Sequence, residues 1–264
     1  AQMKIIDIGV NLMHRSFNSD RESVISDARF EGVSPLIMTG TSEHSSIEAA
    51  RYASKYPGLL YSTAGVHPHD AKSCNHKTIE NLKRLAAEDH VVAIGECGLD
   101  YNRDFSPRDV QRKWFEAQID LTIEMSLPLF LHERDAFSDF ISILKNRRKD
   151  ISNAVVHCFT GSEEELDKYL ELDCHIGITG WICDERRGKH LIKLIKKIPS
   201  NRLMIETDAP FLIPRNMSGK PGDGRNEPKY LVHILDEIAY YLGKDAEDLA
   251  DETYNTTCRF FGIR

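Results

Sequence analysis

The feature that most constrains the fold of this chain is the regular recurrence of short apolar segments rich in β-branched residues. Continuous apolar runs of this kind, without polar alternation, are typical of parallel strands that are buried on both faces. Amphipathic stretches between them are long enough for one helix each, so the pattern predicts repeated βα units. Eight such segments occur: Ile5–Val10, Leu36–Thr39, Leu60–Ala64, Val91–Gly95, Leu129–Leu131, Ala154–His157, His175–Ile178 and Leu203–Ile205.

The intervening stretches carry helix signals. Ser106 is predicted to cap a helix in which Pro107 is the first residue. Ser162 and Glu165 have the spacing of a capping box, in which each side chain bonds the other residue's amide. Apolar stripes at three- and four-residue steps predict two further helices. Their residues are Leu231, Leu235, Ile238 and Leu242, then Leu249, Thr253, Thr257 and Phe260.

Eight strands alternating with helices fit either an open doubly wound sheet or a closed barrel. The open sheet is typical of nucleotide binding through a Gly-rich first turn, but Gly9–Leu12 has no such pattern. We therefore predict an α/β protein with a single (β/α)₈ TIM-barrel domain over residues 3–264. Ala1 and Gln2 precede Met3, and we interpret them as a cloning remnant.

Composition excludes several other classes of protein. The chain is 41% hydrophobic and 28% charged, and no apolar stretch approaches the roughly 18 residues of a membrane span. The six cysteines show no CxxC spacing, which predicts free thiols and a cytoplasmic location. We also expect a monomer. Cys97 and Cys158 each follow a candidate site residue, and we expect both to be buried spectators that face away from the site.

The net charge of −7 argues against a protein that coats nucleic acid, because non-specific binding depends on clustered Lys and Arg. A local basic rim, or simply a solvated charged face, is compatible with this charge. Its candidate residues are Arg186, Arg187, Lys189, Arg215, Lys220, Arg225 and Lys229.

Polar side chains follow most of the predicted strands, at the barrel end where such enzymes place their active sites. A lone His at a strand end is usually a structural residue with a satisfied hydrogen bond. Four strand ends that carry His or Glu in one barrel instead favour a metal site. The residues at these positions are Asn11, His67, Glu96, His132, His157 and Asp208.

The ligand types restrict the ion and the chemistry. Imidazole with carboxylate suits Zn²⁺, Mn²⁺, Fe²⁺ or Co²⁺, whereas Mg²⁺ usually takes few nitrogen ligands. Glu96 could bridge two ions, as in phosphodiester hydrolysis, and Asp208 could bind metal or accept a proton, in either case as a charged group. No GxSxG motif occurs, and Cys158 beside His157 is not expected to have the geometry of a nucleophile and its base.

Seven ordered motifs that contain these residues resemble the TatD-type metal-dependent deoxyribonucleases over nearly the whole chain. They are Ala64–Asp70, Val91–Arg103, Leu131–Ala136, Val155–Gly161, Ile176–Gly188, Ile205–Arg215 and Arg225–Pro228. The resemblance implies an amidohydrolase-like barrel and a 3′–5′ exonuclease that prefers single-stranded DNA and also acts on RNA. It further implies that Mg²⁺ supports the nuclease activity and that the enzyme acts in DNA repair or turnover.

Residue by residue, the resemblance implies metal ligation by Glu96, His132, His157 and Asp208, with Glu96, Asp208 and His67 in catalysis. It also suggests that the substrate contacts Arg134, Arg225 and Asn226. Two departures stand out. Gly9 and Asn11 occupy the positions of an HxH metal-binding pair in many relatives, and Glu133 stands where a Cys is common. The first weakens one metal site, and to the second we assign no role.

Three questions remain open at this stage. The His-rich ligand set favours Mn²⁺ or Zn²⁺, whereas the resemblance implies Mg²⁺. A metal-dependent ester or amide hydrolase, such as an aminoacyl-tRNA deacylase, is an alternative, as is a non-catalytic nucleic-acid-binding scaffold. The basic rim weighs against a small neutral substrate, and only the missing HxH pair supports the scaffold. An aromatic residue could stack on a base, with Tyr101, Trp181 and Phe211 as candidates that could equally serve packing.

Overall fold

The computed structural model describes residues 3–264, so Ala1 and Gln2, which we interpret as a cloning remnant, lie outside the described residues. Within this range eight parallel strands lie in one sheet in sequence order, which confirms the predicted barrel. The strands are β1 (Ile5–Val10), β2 (Val33–Met38), β3 (Leu60–Ala64), β4 (Val91–Asp100), β5 (Leu129–Arg134), β6 (Ala154–Val156), β7 (His175–Ile178) and β8 (Leu203–Ile205).

Helices connect the strands and cover the outside of the barrel. The α-helices of the described range are α1 (Arg21–Phe30), α2 (Glu43–Ala53), α3 (His76–Ala86), α4 (Arg108–Met125), α5 (Phe137–Arg147), α6 (Glu163–Glu171), α7 (Lys189–Leu194), α8 (Leu231–Leu242) and α9 (Ala246–Phe261). The capping box of Ser162 and Glu165 is confirmed at the start of α6. The two predicted apolar stripes are confirmed too, because both α8 and α9 turn them toward the core.

The predicted cap at Ser106 is wrong. Helix α4 begins at Arg108, and Pro107 lies just before it with an extended backbone. The Ser106 hydroxyl donates to the carbonyl of His69 and accepts from the amide of Lys72, at 2.9 and 3.0 Å. Because these two bonds occupy the hydroxyl, Ser106 fixes the loop after β3 instead of capping α4.

Strand β4 is longer than predicted and reaches Asp100, because β5 continues beside it. Gly98 pairs with His132, and Asp100 pairs with Arg134. Gly95 has a φ of 136°, and a Cβ at this position would lie 2.2 Å from the carbonyl oxygen of Phe130. Only glycine fits there, and the close approach of the two strands brings the polar end of β4 next to β5.

The barrel closes between β1 and the chain that follows β8. The amide of Asn11 donates to the carbonyl of Ala209, and the amide of Asp208 donates to Gly9, both at 2.8 Å. Deeper in the barrel, the buried carboxyl group of Asp7 accepts hydrogen bonds from the amide and the hydroxyl of Thr207. These bonds place the ends of β1 and β8 side by side.

All six cysteines are free thiols in the described structure, as predicted. Among residues 3–264, the helices lack the combination of length and apolar character that a bilayer span requires.

Candidate active site

A cavity of about 760 Å³ opens at the C-terminal end of the barrel. All six polar strand-end residues line it, together with Arg134 from the end of β5: Asn11, His67, Glu96, His132, His157 and Asp208. The structure therefore brings together side chains from six different strand ends, as expected from the parallel order of the strands.

Three imidazoles converge on one oxygen of the buried Glu96 carboxylate. Nδ1 of His132 and Nε2 of His157 each lie 3.0 Å from Oε2 of Glu96, and Nε2 of His67 lies 3.5 Å from it. Ligand atoms of Glu96, His132 and His157 all lie within 4.8 Å of one another. This spacing and these donor types could hold a metal ion.

Each of the two nearer imidazoles is held from behind by a second carboxylate. Nδ1 of His157 lies 2.7 Å from Oε1 of Glu206, and Nε2 of His132 lies 2.8 Å from Oδ2 of Asp100. In a metal-bound site, the nitrogen that faces the outer carboxylate would keep its hydrogen, and the opposite nitrogen, which faces Glu96, would lose its hydrogen and ligate the metal through its lone pair. Both histidines thus direct a potential ligand atom toward Glu96.

His67 is oriented the other way. Its Nδ1 accepts the backbone amide of His69 at 3.0 Å, so the neutral ring carries its hydrogen on Nε2, toward the cavity. Burial lowers the pKa of His67 to about 3, which keeps this ring neutral. This tautomer makes His67 a hydrogen-bond donor to the cavity, although its ligand atom also lies within 4.8 Å of those of Asp100 and His132, a second group that could hold a metal ion.

The charges of this cluster stabilise one another. Burial alone would raise the pKa of Glu96, but the neighbouring His157 and His132 lower it well below its usual value. Burial disfavours protonated His157, yet Glu96 and Glu206 raise its pKa well above the usual value. Burial also disfavours protonated His132, but its hydrogen bonds to Asp100 and Glu96 raise its pKa to about 9. Protonated imidazoles therefore lie beside ionised carboxylates in this site. A bound cation would take the place of their positive charge.

Asp208 lies in the same cavity but outside the three-residue group that Glu96 forms with His132 and His157. Nδ2 of Asn11 donates to its Oδ1 at 3.2 Å. Burial raises the pKa of Asp208 to about 7, so without a cation nearby its carboxyl group is not firmly ionised. Its φ of 57° is unusual for a residue with a side chain, and such backbone strain is common at functional sites.

Glu206 also explains the absence of a side chain at position 9. A Cβ on Gly9 would lie 2.5 Å from Oε1 of Glu206, and a Cβ on Gly177 would lie 2.3 Å from Oε2. The Glu206 carboxylate is thus seated between two glycines on β1 and β7. The space that the first His of an HxH pair would start to fill is occupied here by the carboxylate that holds His157.

Sequence reasoning missed Asp100 and Glu206. Asp100 falls beyond the predicted end of β4, and Glu206 directly follows β8 in a motif where attention went to Asp208. A carboxylate next to a buried apolar segment was the available signal.

The remaining predicted substrate residues are placed differently. Arg134 lines the cavity, whereas Arg225 and Asn226 do not. The Arg225 guanidinium forms an ion pair with Asp20 at 2.7 Å. The buried Asn226 amide donates to the carbonyls of Thr207 and Phe211, at 3.1 and 2.8 Å. Both side chains hold loops at the barrel mouth, and substrate contact by either stays a prediction.

The expected basic rim is largely paired with acidic residues. Arg186 and Arg187 both bond Asp184, and Arg215 bonds Glu185 at 2.8 Å. These pairs reduce the positive charge that the rim offers to a polyanion.

Two of the three aromatic candidates, Trp181 and Phe211, line the cavity. Tyr101 does not, because it is buried and its hydroxyl donates to Asp139 at 2.7 Å. Glu133, to which no role was assigned, accepts from the hydroxyl of Tyr169 at 2.9 Å.

The two cysteines differ. Cys97 is fully buried, as expected, but Cys158 lines the cavity, which corrects the expectation that it faces away. The chain turns after His157 with a φ of 49° at Cys158, so the strand alternation assumed for that position does not apply. Burial raises the pKa of Cys158 to about 12, which argues against a nucleophilic thiolate.

A (β/α)₈ barrel with histidines and carboxylates gathered at its C-terminal end defines a metal-dependent hydrolase of the amidohydrolase-like class. The sequence model of the TatD-related DNase family matches residues 6–262. The chain therefore belongs to this family and is a TatD-type nuclease.

Sequence similarity to relatives extends over nearly the whole chain. A protein of Rahnella sp. named 3′-5′ ssDNA/RNA exonuclease TatD is 48% identical, with 98% of each chain covered. A protein of the same name from Pectobacterium carotovorum is 49% identical, with 98% of this chain and 100% of its own covered. The crystal structure of a TatD homolog from Escherichia coli superimposes with a TM-score of 0.91 at 26% identity, covering 100% of both chains.

Proposed function

We propose that this protein is a metal-dependent 3′–5′ exonuclease that removes nucleotides from single-stranded DNA and RNA. The observation that carries the proposal is the arrangement around Glu96, where His132 and His157 each direct a ring nitrogen to the same carboxylate oxygen at 3.0 Å. The relatives named as 3′-5′ ssDNA/RNA exonucleases support the substrate class and the direction of cleavage.

Glu96, His132 and His157 would hold the ion, and Asp208, which lines the same cavity, would complete its ligand set. The fit rests on their buried position and on the outer carboxylates Asp100 and Glu206, which fix the two rings. A divalent ion bound there supplies Lewis acidity to the phosphoryl oxygens and to the attacking water. Mg²⁺ is the ion that the family resemblance implies, while the two imidazoles also suit Mn²⁺ or Zn²⁺.

The protein's own groups divide the remaining work. The Nε2–H of His67 and the Arg134 guanidinium, which both line the cavity, would hold non-bridging phosphate oxygens. Asp208, fixed by Asn11, would accept the proton of the attacking water. The two donor contacts would strengthen as negative charge develops on the phosphate oxygens, which favours catalysis rather than tight substrate binding.

The test is cleavage of 5′-labelled single-stranded DNA by metal-stripped protein, with Mg²⁺, Mn²⁺ or Zn²⁺ added back separately. A ladder that shortens from the 3′ end only with metal would support the proposal. Glu96→Ala should abolish it and retain the circular dichroism spectrum of the wild type. Glu185→Ala, an exposed carboxylate paired with Arg215, is the matched control and should cleave normally. Absence of cleavage with every metal, or full activity of Glu96→Ala, would refute it.

A further inference from the structure

Phe211 is an exposed aromatic ring at the mouth of the active-site cavity. Its exposed fraction is 50%, and of the four large hydrophobic residues exposed among residues 3–264 it is the one that lines this cavity. The others are Phe30, Phe105 and Tyr240. Exposed apolar surface at a cavity that also carries polar groups is a feature of ligand-binding sites, since a ligand that covers this surface removes it from water.

The backbone that carries this ring is firmly held. The Phe211 amide donates to the carbonyl of Asp208 at 3.0 Å, and the buried Asn226 amide donates to the Phe211 carbonyl at 2.8 Å. The centre of the ring lies 5.4 Å from the centre of the His14 imidazole, in an edge-to-face contact. His14 therefore leaves at least one face of Phe211 uncovered. Phe211 is thus a half-exposed ring on a fixed backbone, three residues from Asp208.

We propose that Phe211 forms a nucleobase subsite, stacking on the base of the terminal nucleotide while its phosphodiester bond lies at Glu96. This inference rests on the proposed nuclease function. Stacking on an aromatic ring accepts any base, because every base has a π-face. Such a contact would therefore hold the end of a strand without selecting its sequence.

Of the other aromatic residues that line the cavity, Phe159 and Tyr169 are buried and Trp181 is only partly exposed, so each is less suited to this role than Phe211. The Arg187 guanidinium lies 4.1 Å from the centre of its ring, and its indole N–H donates to the Arg187 carbonyl at 3.3 Å. One face of Trp181 is therefore already covered by its own neighbour.

The inference also gives Asn226 and Arg225 a role without direct substrate contact. Asn226 fixes the Phe211 backbone, and Arg225 bonds Asp20 and the Ser16 carbonyl in the loop that carries His14. Both would be positioning residues for the stacking ring. The segment after β8 and the loop after β1 would then act together as one support for the base.

The test compares two 5′-labelled single-stranded oligonucleotides of equal length, one ending in an ordinary 3′ thymidine and one ending in an abasic 3′ nucleotide. Phe211→Ala should lower kcat/KM on the ordinary strand by about tenfold or more, through a higher KM. On the abasic strand the same variant should match the wild type. Phe211→Trp should restore cleavage of the ordinary strand, because an aromatic ring returns.

Tyr240→Ala is the matched control, since it removes an exposed ring that does not line the cavity. Equal losses on both strands would overturn the subsite and assign Phe211 a structural role.

Binding by fluorescence anisotropy in the Glu96→Ala background separates this result from failure of the nuclease proposal. A preference for the ordinary strand that Phe211→Ala removes supports the subsite even without cleavage. A preference that persists in Phe211→Ala, or no preference at all, contradicts it.

Discussion

The Glu206 carboxylate lies 2.7 Å from Nδ1 of His157, on the side of the ring opposite Glu96. Its second oxygen accepts the backbone amide of Cys158 at 3.0 Å, so both carboxylate oxygens are engaged. Glu206 is completely buried and cannot contact substrate directly. Its effect on chemistry must pass through the orientation and the protonated nitrogen of His157.

Replacing this carboxylate should therefore weaken metal binding without removing a ligand. In Glu206→Gln the amide can still accept from His157, but its NH₂ group then faces the N–H of Cys158. We expect metal affinity to fall by about 10- to 100-fold, the usual effect of losing an outer partner of a ligating His. Isothermal titration calorimetry with Mn²⁺ measures it. Glu185→Gln, on the surface, should bind as the wild type does, and equal affinity in both variants would remove Glu206 from this role.

Substitution of Gly9 provides an independent test, because a side chain there would shift Glu206 without removing its carboxylate. In Gly9→Ala the new Cβ would lie 2.5 Å from Oε1 of Glu206, so the carboxylate or β1 must move. Overpacking of this kind costs about 1–3 kcal/mol, which urea denaturation would report as a lower free energy of unfolding. Gly222→Ala, where no atom lies within 4 Å of the added Cβ, should leave stability almost unchanged. A stable Gly9→Ala protein with normal metal affinity would contradict the seating of Glu206 between the glycines.

His67 and His132 should respond differently to substitution. Since His67 directs an N–H into the cavity, His67→Ala should bind metal as the wild type does, whereas His132→Ala should bind much more weakly. Cleavage by His67→Ala should fall by about 10²- to 10³-fold, as expected for loss of one donor to the transition state. His67→Gln, whose amide also offers an N–H, should recover part of this loss. Weak metal binding by His67→Ala would instead make His67 a ligand.

The barrel could be predicted from the sequence because strands buried on both faces leave continuous apolar segments. Four of the eight strands, β1, β3, β7 and β8, have the bounds that were predicted. The end of β4 could not be predicted, since Gly95 and Gly98 interrupt the apolar pattern and Asp100 is polar. What extends β4 is its pairing with β5, a contact between segments distant in sequence.

The inner residues of the site could be predicted as well, because they follow strands whose ends must meet. The outer carboxylates could not. His157 and Glu206 are 49 residues apart, and His132 and Asp100 are 32 apart, so only the arrangement of the strands in the folded barrel brings them together. The same holds for Arg225, whose partner Asp20 lies 205 residues away. A motif identifies such residues, but only the folded chain assigns what they contact.

Asp7, inside the closure between β1 and β8, makes stability depend on pH. Burial outweighs the hydrogen bonds from Thr207 and raises the pKa of Asp7 to about 8, against 3.8 for an ordinary Asp. Between these values the folded state keeps a proton that the unfolded state loses, so the contribution of Asp7 to stability falls as pH rises. At 1.36 kcal/mol for each unit of pKa, the loss from about pH 5 to about pH 8 is on the order of 3–4 kcal/mol.

Asp7→Asn removes this titration and retains a group that can accept from the Thr207 and Gly9 amides and donate to the Thr207 hydroxyl. Groups distant from Asp7, such as Asp100, should titrate alike in both proteins, so the difference in unfolding free energy reports Asp7 and its immediate neighbours. Urea denaturation at several pH values should show the variant gaining on the wild type as pH rises, with the change complete above about pH 8. The amide can add a constant difference in unfolding free energy between the two proteins. The test is whether that difference changes with pH. Two parallel curves would mean that Asp7 is already ionised in the folded barrel at about pH 5, and that its bonds to Thr207 outweigh its burial.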